Sequence, residues 1–149
     1  MSDAFLSQIQ ADALIAMDKR CAHAQPIDYP EFGGHVAAPL LSNDGRETFL
    51  LDVHRGRIDL RKGTNQLRAH QAIVLVRLDF GGRPHRNPDD QEISSPHIHI
   101  YREGFGDKWA FPLPDGIFRN IEDHWKSLED FMAYCRVIEP PNFRRGLFA

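Results

Sequence analysis

From residue 35 onward the chain alternates apolar and polar residues with a period near two, whereas its start and a stretch near residue 130 repeat with a helical period. The alternation predicts strands over Val36–Leu41, Glu47–His54, Arg57–Arg61, Ala72–Phe80 and His97–Glu103, with a short one at Trp109–Phe111. Asn43-Asp44-Gly45 and Arg55-Gly56 supply the first two turns. A helix is expected from Ser7 to Cys21. Ser7 and Gln10 match a capping box, and Ile9, Ala13, Leu14, Met17 and Cys21 form its apolar stripe. A second helix is expected to start at Ser127, with Leu128, Phe131, Met132 and Cys135 facing inward and Pro140 and Pro141 ending it. This order predicts an α+β fold in one domain spanning 1–149. A mainly antiparallel sheet of about five to six strands would carry both helices on one face and leave the other for ligand.

The polar positions become informative between Arg77 and Trp109. Successive strand residues point to opposite faces, so Arg77 and Asp79 lie together, opposite Val76, Leu78 and Phe80. By the same rule His97, His99, Tyr101 and Glu103 share a solvated face while Ile98 and Ile100 bury the other. Pairing of these two strands across the excursion from Gly81 to Pro96 would bring Arg77, Asp79, His97 and His99 onto one face. A slip of one residue would separate them. Gly104 and Gly106 hinge a further turn that would bring Lys108 back toward the strand end, while Asp107 and Lys108 read equally well as plain solvated turn.

Charge and cysteine content narrow the setting. A net charge of -3 gives no overall attraction for nucleic acid, so any such binding needs a local patch. Arg55, Arg57, Arg61, Lys62 and Arg68 cluster on a predicted hairpin, where basic residues most often protect an edge. Asp52 and His54 read as ordinary decoration of a solvated face, and Phe143, Leu147 and Phe148 as apolar ties for the basic tail at Arg144 and Arg145. Cys21 and Cys135 follow no metal spacing and suit free buried thiols in a reduced cytoplasm. No basic region precedes an apolar run at the start and no stretch has bilayer length, so a cytoplasmic protein without membrane contact is expected.

The segments Pro84-His85-Arg86-Asn87-Pro88-Asp89, Pro96-His97-Ile98-His99-Ile100-Tyr101-Arg102-Glu103-Gly104 and Gly106-Asp107-Lys108-Trp109-Ala110 resemble a bacterial family of uncharacterised proteins. A weaker similarity runs to the TumE-like toxins of toxin-antitoxin pairs, on the positions Arg77, Asp79, His85, His97 and His99. That second resemblance implies a ribonuclease with RNA as substrate and a cognate antitoxin as partner.

Three readings of the histidine face remain open at this level. The first is a metal-independent ribonuclease that needs no cofactor. His97 and His99, assisted by His85 and Asp79, would be base and acid, and Arg77 would stabilise the phosphorane. Tyr101, Arg102, Lys108 and Asn87 would bind substrate. The second is a metal site of His97, His99 and Glu103, whose imidazoles and carboxylate suit zinc or non-haem iron. The third is a binding or regulatory protein in which the histidines only satisfy hydrogen bonds.

Overall fold

The computed structural model describes residues 5–146. In chain order the elements are α1 (Gln8–Ala16), β1 (Lys19–Cys21), β2 (Ile27–Asp28), β3 (His35–Ser42), β4 (Thr48–Arg55), β5 (Gly63–Ala69) and β6 (Ile73–Phe80). They are followed by β7 (His85–Arg86), β8 (Glu92–Ile93), β9 (His97–Ile100), β10 (Ala110–Pro112), α2 (His124–Tyr134), β11 (Val137–Glu139) and β12 (Phe143–Arg144). Eight strands form the main sheet in the order β10-β9-β6-β5-β4-β3-β1-β11, antiparallel throughout except where β11 lies parallel to β1. Two small ribbons, β7 with β8 and β2 with β12, complete the fold. The architecture is α+β with a mostly antiparallel sheet.

The sheet is wider than its alternation predicts. Strands β1 and β11 are three residues each, too short to show a period, and they extend it at one edge. Arg57–Arg61 is not a strand; it forms the tip of the β4–β5 hairpin, where Ile58 is 96% exposed, and pairing resumes at Gly63. Two basic residues of this hairpin are structural. Arg55 is buried between the rings of Tyr29 and Phe32 and donates from Nε to His124 Nδ1 (3.1 Å) and from Nη1 to the Pro30 carbonyl (2.9 Å). Arg68 forms a two-pronged pair with the buried Asp52 (2.6 and 2.8 Å), so Asp52 is not surface decoration.

Both helices begin with a cap. Ser7 accepts from Gln10 N while the Gln10 side chain accepts from Ser7 N, the reciprocal arrangement the sequence indicates. Helix α1 nevertheless ends at Ala16, because Met17 is extended (φ -73°, ψ 148°) and the chain turns into β1. The buried side of α1 is Ala11 and Leu14; Ile9 faces solvent. Helix α2 starts one turn before Ser127. Asp123 is its cap, accepting from Lys126 N, while Ser127 is buried and donates to the Asn120 and Ile121 carbonyls. Leu128, Phe131 and Met132 then join Ala11, Leu14, Leu51, Leu67, Leu78 and Ile98 in one apolar cluster on one side of the sheet. Cys135 is a buried free thiol, pushed up to about 12 by burial, and Cys21 is a half-buried one in β1. Phe143 packs edge-on against Tyr29 and Trp125, tying down the tail; Leu147 and Phe148 lie outside the described residues. No helix is long and apolar enough to cross a membrane among the described residues.

Candidate metal centre

The opposite face of the sheet carries the polar residues, and register decides which of them meet. β6 and β9 pair antiparallel with Arg77 opposite His99 and Asp79 opposite His97, the alignment that puts all four on one face. Asp79 Oδ2 lies 3.5 Å from His97 Nε2 and 3.2 Å from His99 Nε2. Thr64 on β5 donates to the other carboxylate oxygen at 3.0 Å, and Arg77 Nε donates to Oδ2 at 3.2 Å, so the carboxylate cannot swing away.

Neither histidine is on an open face. His97 is 3% and His99 1% exposed, against the solvated positions that strand alternation predicts. The β7–β8 ribbon and the turn from Arg102 to Trp109 cover them. His85 from β7 lies edge-on to His99 with ring centroids 4.6 Å apart and donates from Nε2 to the Lys108 carbonyl at 2.7 Å. Asp107 accepts from Arg77 Nη1 at 2.6 Å.

The far sides of the two rings settle their tautomers. His99 Nδ1 is 2.8 Å from the Asp107 carbonyl and His97 Nδ1 is 3.3 Å from the Ser94 carbonyl. A carbonyl only accepts, so each Nδ1 carries hydrogen and each neutral ring turns its Nε2 lone pair toward Asp79. A lone pair facing a carboxylate oxygen at 3.2 to 3.5 Å is repulsive unless a cation bridges them; Arg77, which donates to both Asp79 Oδ2 and His99 Nε2, does so at His99, and among the described residues no such group stands between Asp79 and His97. Ligands held about 2.0–2.1 Å from one metal ion stand roughly 3.0–3.5 Å apart at octahedral or tetrahedral angles, which matches the two carboxylate–imidazole distances. The ligand atoms of Asp79, His97 and His99 all lie within 4.8 Å of one another. Backbone acceptors on the distal ring nitrogens are the usual outer support of metal-binding histidines.

Charge is arranged to suit a cation. With neutral imidazoles, Asp79 and Asp107 outweigh Arg77 by one negative charge. Burial alone would push the Asp79 carboxyl up, but its close contacts with His97 and His99 and the neighbouring Arg77 outweigh it and hold the group well below the ordinary carboxylate range. Arg77 Nη2, 3.1 Å from His99 Nε2, competes for the same lone pair, and a bound ion would displace that one contact while Asp107 and Asp79 retain the guanidinium.

Several residues expected here do other work. β9 stops at Ile100, so alternation does not carry Tyr101 and Glu103 onto the histidine face. Tyr101 is buried; its hydroxyl accepts from Leu6 N and donates to Leu6 O, both at 2.7 Å. Glu103 accepts from Gln8 N at 2.8 Å, docking α1, and the carboxylate that stands beside both imidazoles is Asp79. Arg102 lies over the Trp109 ring, 4.3 Å from its centroid. Asn87 is buried and exchanges two hydrogen bonds with the Ala110 backbone, pinning the excursion to β10. Lys108 is exposed and contributes its carbonyl to His85. Asp107, half expected to be idle turn, is the anchor of both Arg77 and His99.

A cleft of about 400 Å³ opens beside the cluster, lined by Lys62, Thr64, Arg77, Asp79, Arg83 and His97 among others. Glycines let its wall close in. Gly81 has φ 72°, and a Cβ there would overlap the Arg61 carbonyl, so only glycine lets the hairpin tip carry Lys62 to this point.

No curated protein and no solved structure matches the chain. A family model does match, over residues 6–137, and it is described as a family of unknown function (DUF6978). The match covers strands β1 to β10 and both helices, and with them every residue of the cluster, so the chain belongs to this family.

Proposed function

We propose that Asp79, His97 and His99 hold a divalent transition metal and that the protein uses it to hydrolyse phosphodiester bonds in RNA. One observation carries the reading: two buried imidazoles, each with its Nδ1–H given to a backbone carbonyl, direct their Nε2 atoms at one carboxylate oxygen. Two imidazoles and a carboxylate suit zinc or non-haem iron, and three protein ligands leave positions for water and substrate. The ion supplies an activated water and a charge on the phosphoryl oxygen. Arg77, Lys62 and Arg83 line the same cleft and would neutralise the phosphate as water adds to phosphorus and the ester oxygen departs with a proton.

The same geometry weakens the metal-independent mechanism. Both ring nitrogens of His97 and of His99 already face protein partners, leaving neither ring a free nitrogen for exchanging a proton with substrate. A toxin role with a cognate antitoxin rests on the likeness of Arg77, Asp79, His85, His97 and His99 to the TumE-like pattern. The test is hydrolysis of RNA by protein stripped of metal and then titrated with zinc, iron(II), manganese and magnesium. Turnover should appear only on metal addition and vanish in chelator. Cleavage that persists in excess chelator would move the reading to acid-base catalysis, and no cleavage with any metal would leave a binding protein.

A further inference from the structure

The polar face continues well beyond the metal-binding cluster. Successive registers align His35, His54, Thr64, Asp79 and His97 in one row across β3, β4, β5, β6 and β9. Four inter-strand steps of about 4.8 Å make that row roughly 19 Å long. Its far end is a second depression of about 510 Å³, and Lys62 and Thr64 line both this hollow and the cleft at Asp79, so the two are continuous.

That far end is built unlike a solvated strand face. His35 and His54 are both exposed, with ring centroids 5.3 Å apart and planes inclined by 39°. His35 Nε2 is 3.4 Å from Asp52, whose charge Arg68 neutralises, so the floor beneath the rings does not repel an anion. Lys62, at the junction, and Arg83, at the near end, form no ion pair among the described residues.

We propose that this row is the floor of a groove for a single-stranded RNA segment of a few nucleotides. In it the phosphate to be cleaved lies at Asp79, His97 and His99, Lys62 holds the next phosphate, and an unpaired base stacks on His35 and His54. This rests on the reading of the cluster as a phosphodiesterase and adds its substrate form. A floor 19 Å long is far more than one phosphate ester fills. A base offers its face to imidazole only when it is unpaired, and free cations beside an aromatic platform are the usual means of holding such strands.

The test is fluorescence anisotropy of a labelled single-stranded oligoribonucleotide in excess chelator, where neither metal nor cleavage contributes. Wild-type protein should bind with an affinity that falls as salt rises. The double substitution His35→Ala/His54→Ala and, separately, Lys62→Ala should each weaken binding about tenfold or more. All three side chains are exposed, so melting temperatures should stay unchanged, which separates lost contact from lost fold. Equal affinity of both variants and wild type would overturn the groove, as would equally tight binding of duplex RNA or of an acidic peptide. Because the assay excludes metal, its failure leaves the hydrolytic reading standing, and failure of metal-dependent cleavage leaves the groove standing.

Discussion

Asp79→Asn is expected to weaken metal binding by at least about 100-fold and to reduce metal-dependent RNA cleavage by a comparable or larger factor. Loss of an outer partner of a metal ligand already costs about 10 to 100-fold, and Asp79 is proposed as a ligand itself. The amide is isosteric and keeps an oxygen for Thr64 Oγ1, so the strand pairing around it survives. What it cannot do is supply an anionic oxygen to a cation shared with His97 and His99, since its nitrogen would donate to those rings instead. Glu103→Gln is the matched control, because it changes the carboxylate that strand spacing alone nominates. The Gln side chain still accepts from Gln8 N, and both metal affinity and cleavage should equal wild type. Equilibrium competition against a chromophoric chelator measures the first quantity, and steady-state cleavage the second.

The largest expected loss of stability belongs to a residue remote from the site. Lys19 is fully buried, and its ammonium donates to the carbonyls of Ile15 (2.9 Å), Met17 (2.8 Å) and Cys135 (2.8 Å) with the Phe49 ring 5.0 Å away. These oxygens belong to the ends of α1 and α2, where carbonyls have no partner within the helix, so one side chain closes both. Lys19→Met keeps the apolar stem and strips all three acceptors. The expected cost is about 3–5 kcal/mol, from buried carbonyls left without donors, or a fall in melting temperature of roughly 10 °C or more for a chain of this size. Burial pushes the Lys19 amine down to about 8 from its ordinary 10.5, with nearby Cys135 and Asp18 opposing the shift. The folded state thus binds this proton more weakly than the unfolded chain. Wild-type stability from this group therefore rises as pH goes from about 8 to 10.5, and the Met variant lacks that rise. Thermal unfolding of both proteins across that range checks the size and the sign. A melting temperature within a degree or two of wild type would show that the three carbonyls find other donors.

How legible these features are in the sequence depends on whether their cause is local. The alternation in β6 and β9 is local, so Arg77, Asp79, His97 and His99 fall on one face from pattern alone, and the register then brings them together. The third ligand of the proposed metal site is not. Glu103 has the right spacing for a strand that runs on, but β9 ends at Ile100, and the oxygen comes from the neighbouring strand instead. Burial of the two histidines is equally nonlocal, since it is produced by the β7–β8 ribbon and by Asp107 folding back over them. Asn87 carries a turn signature that conceals its bonds to Ala110. Lys19 falls inside the helix expected from Ser7 to Cys21 and off its apolar stripe, and nothing local shows that it serves helix ends from segments 116 residues apart. His54 looks like decoration, and His35 precedes the strand expected from Val36, until the cross-strand row links both to Asp79.

The central claim is that Asp79, His97 and His99 form one metal centre, and its most direct test is the metal content of three purified proteins. Wild type, His99→Ala and Glu103→Gln would each be dialysed against buffered zinc and assayed by elemental analysis. Substitution of His99, buried and bonded to Asp107 and Arg77, is not a surface change, so circular dichroism should confirm that the variant remains folded. Close to one equivalent is expected in wild type and in Glu103→Gln and nearly none in folded His99→Ala. Wild-type protein that retains no metal, or an equivalent lost from Glu103→Gln but kept by His99→Ala, would contradict it.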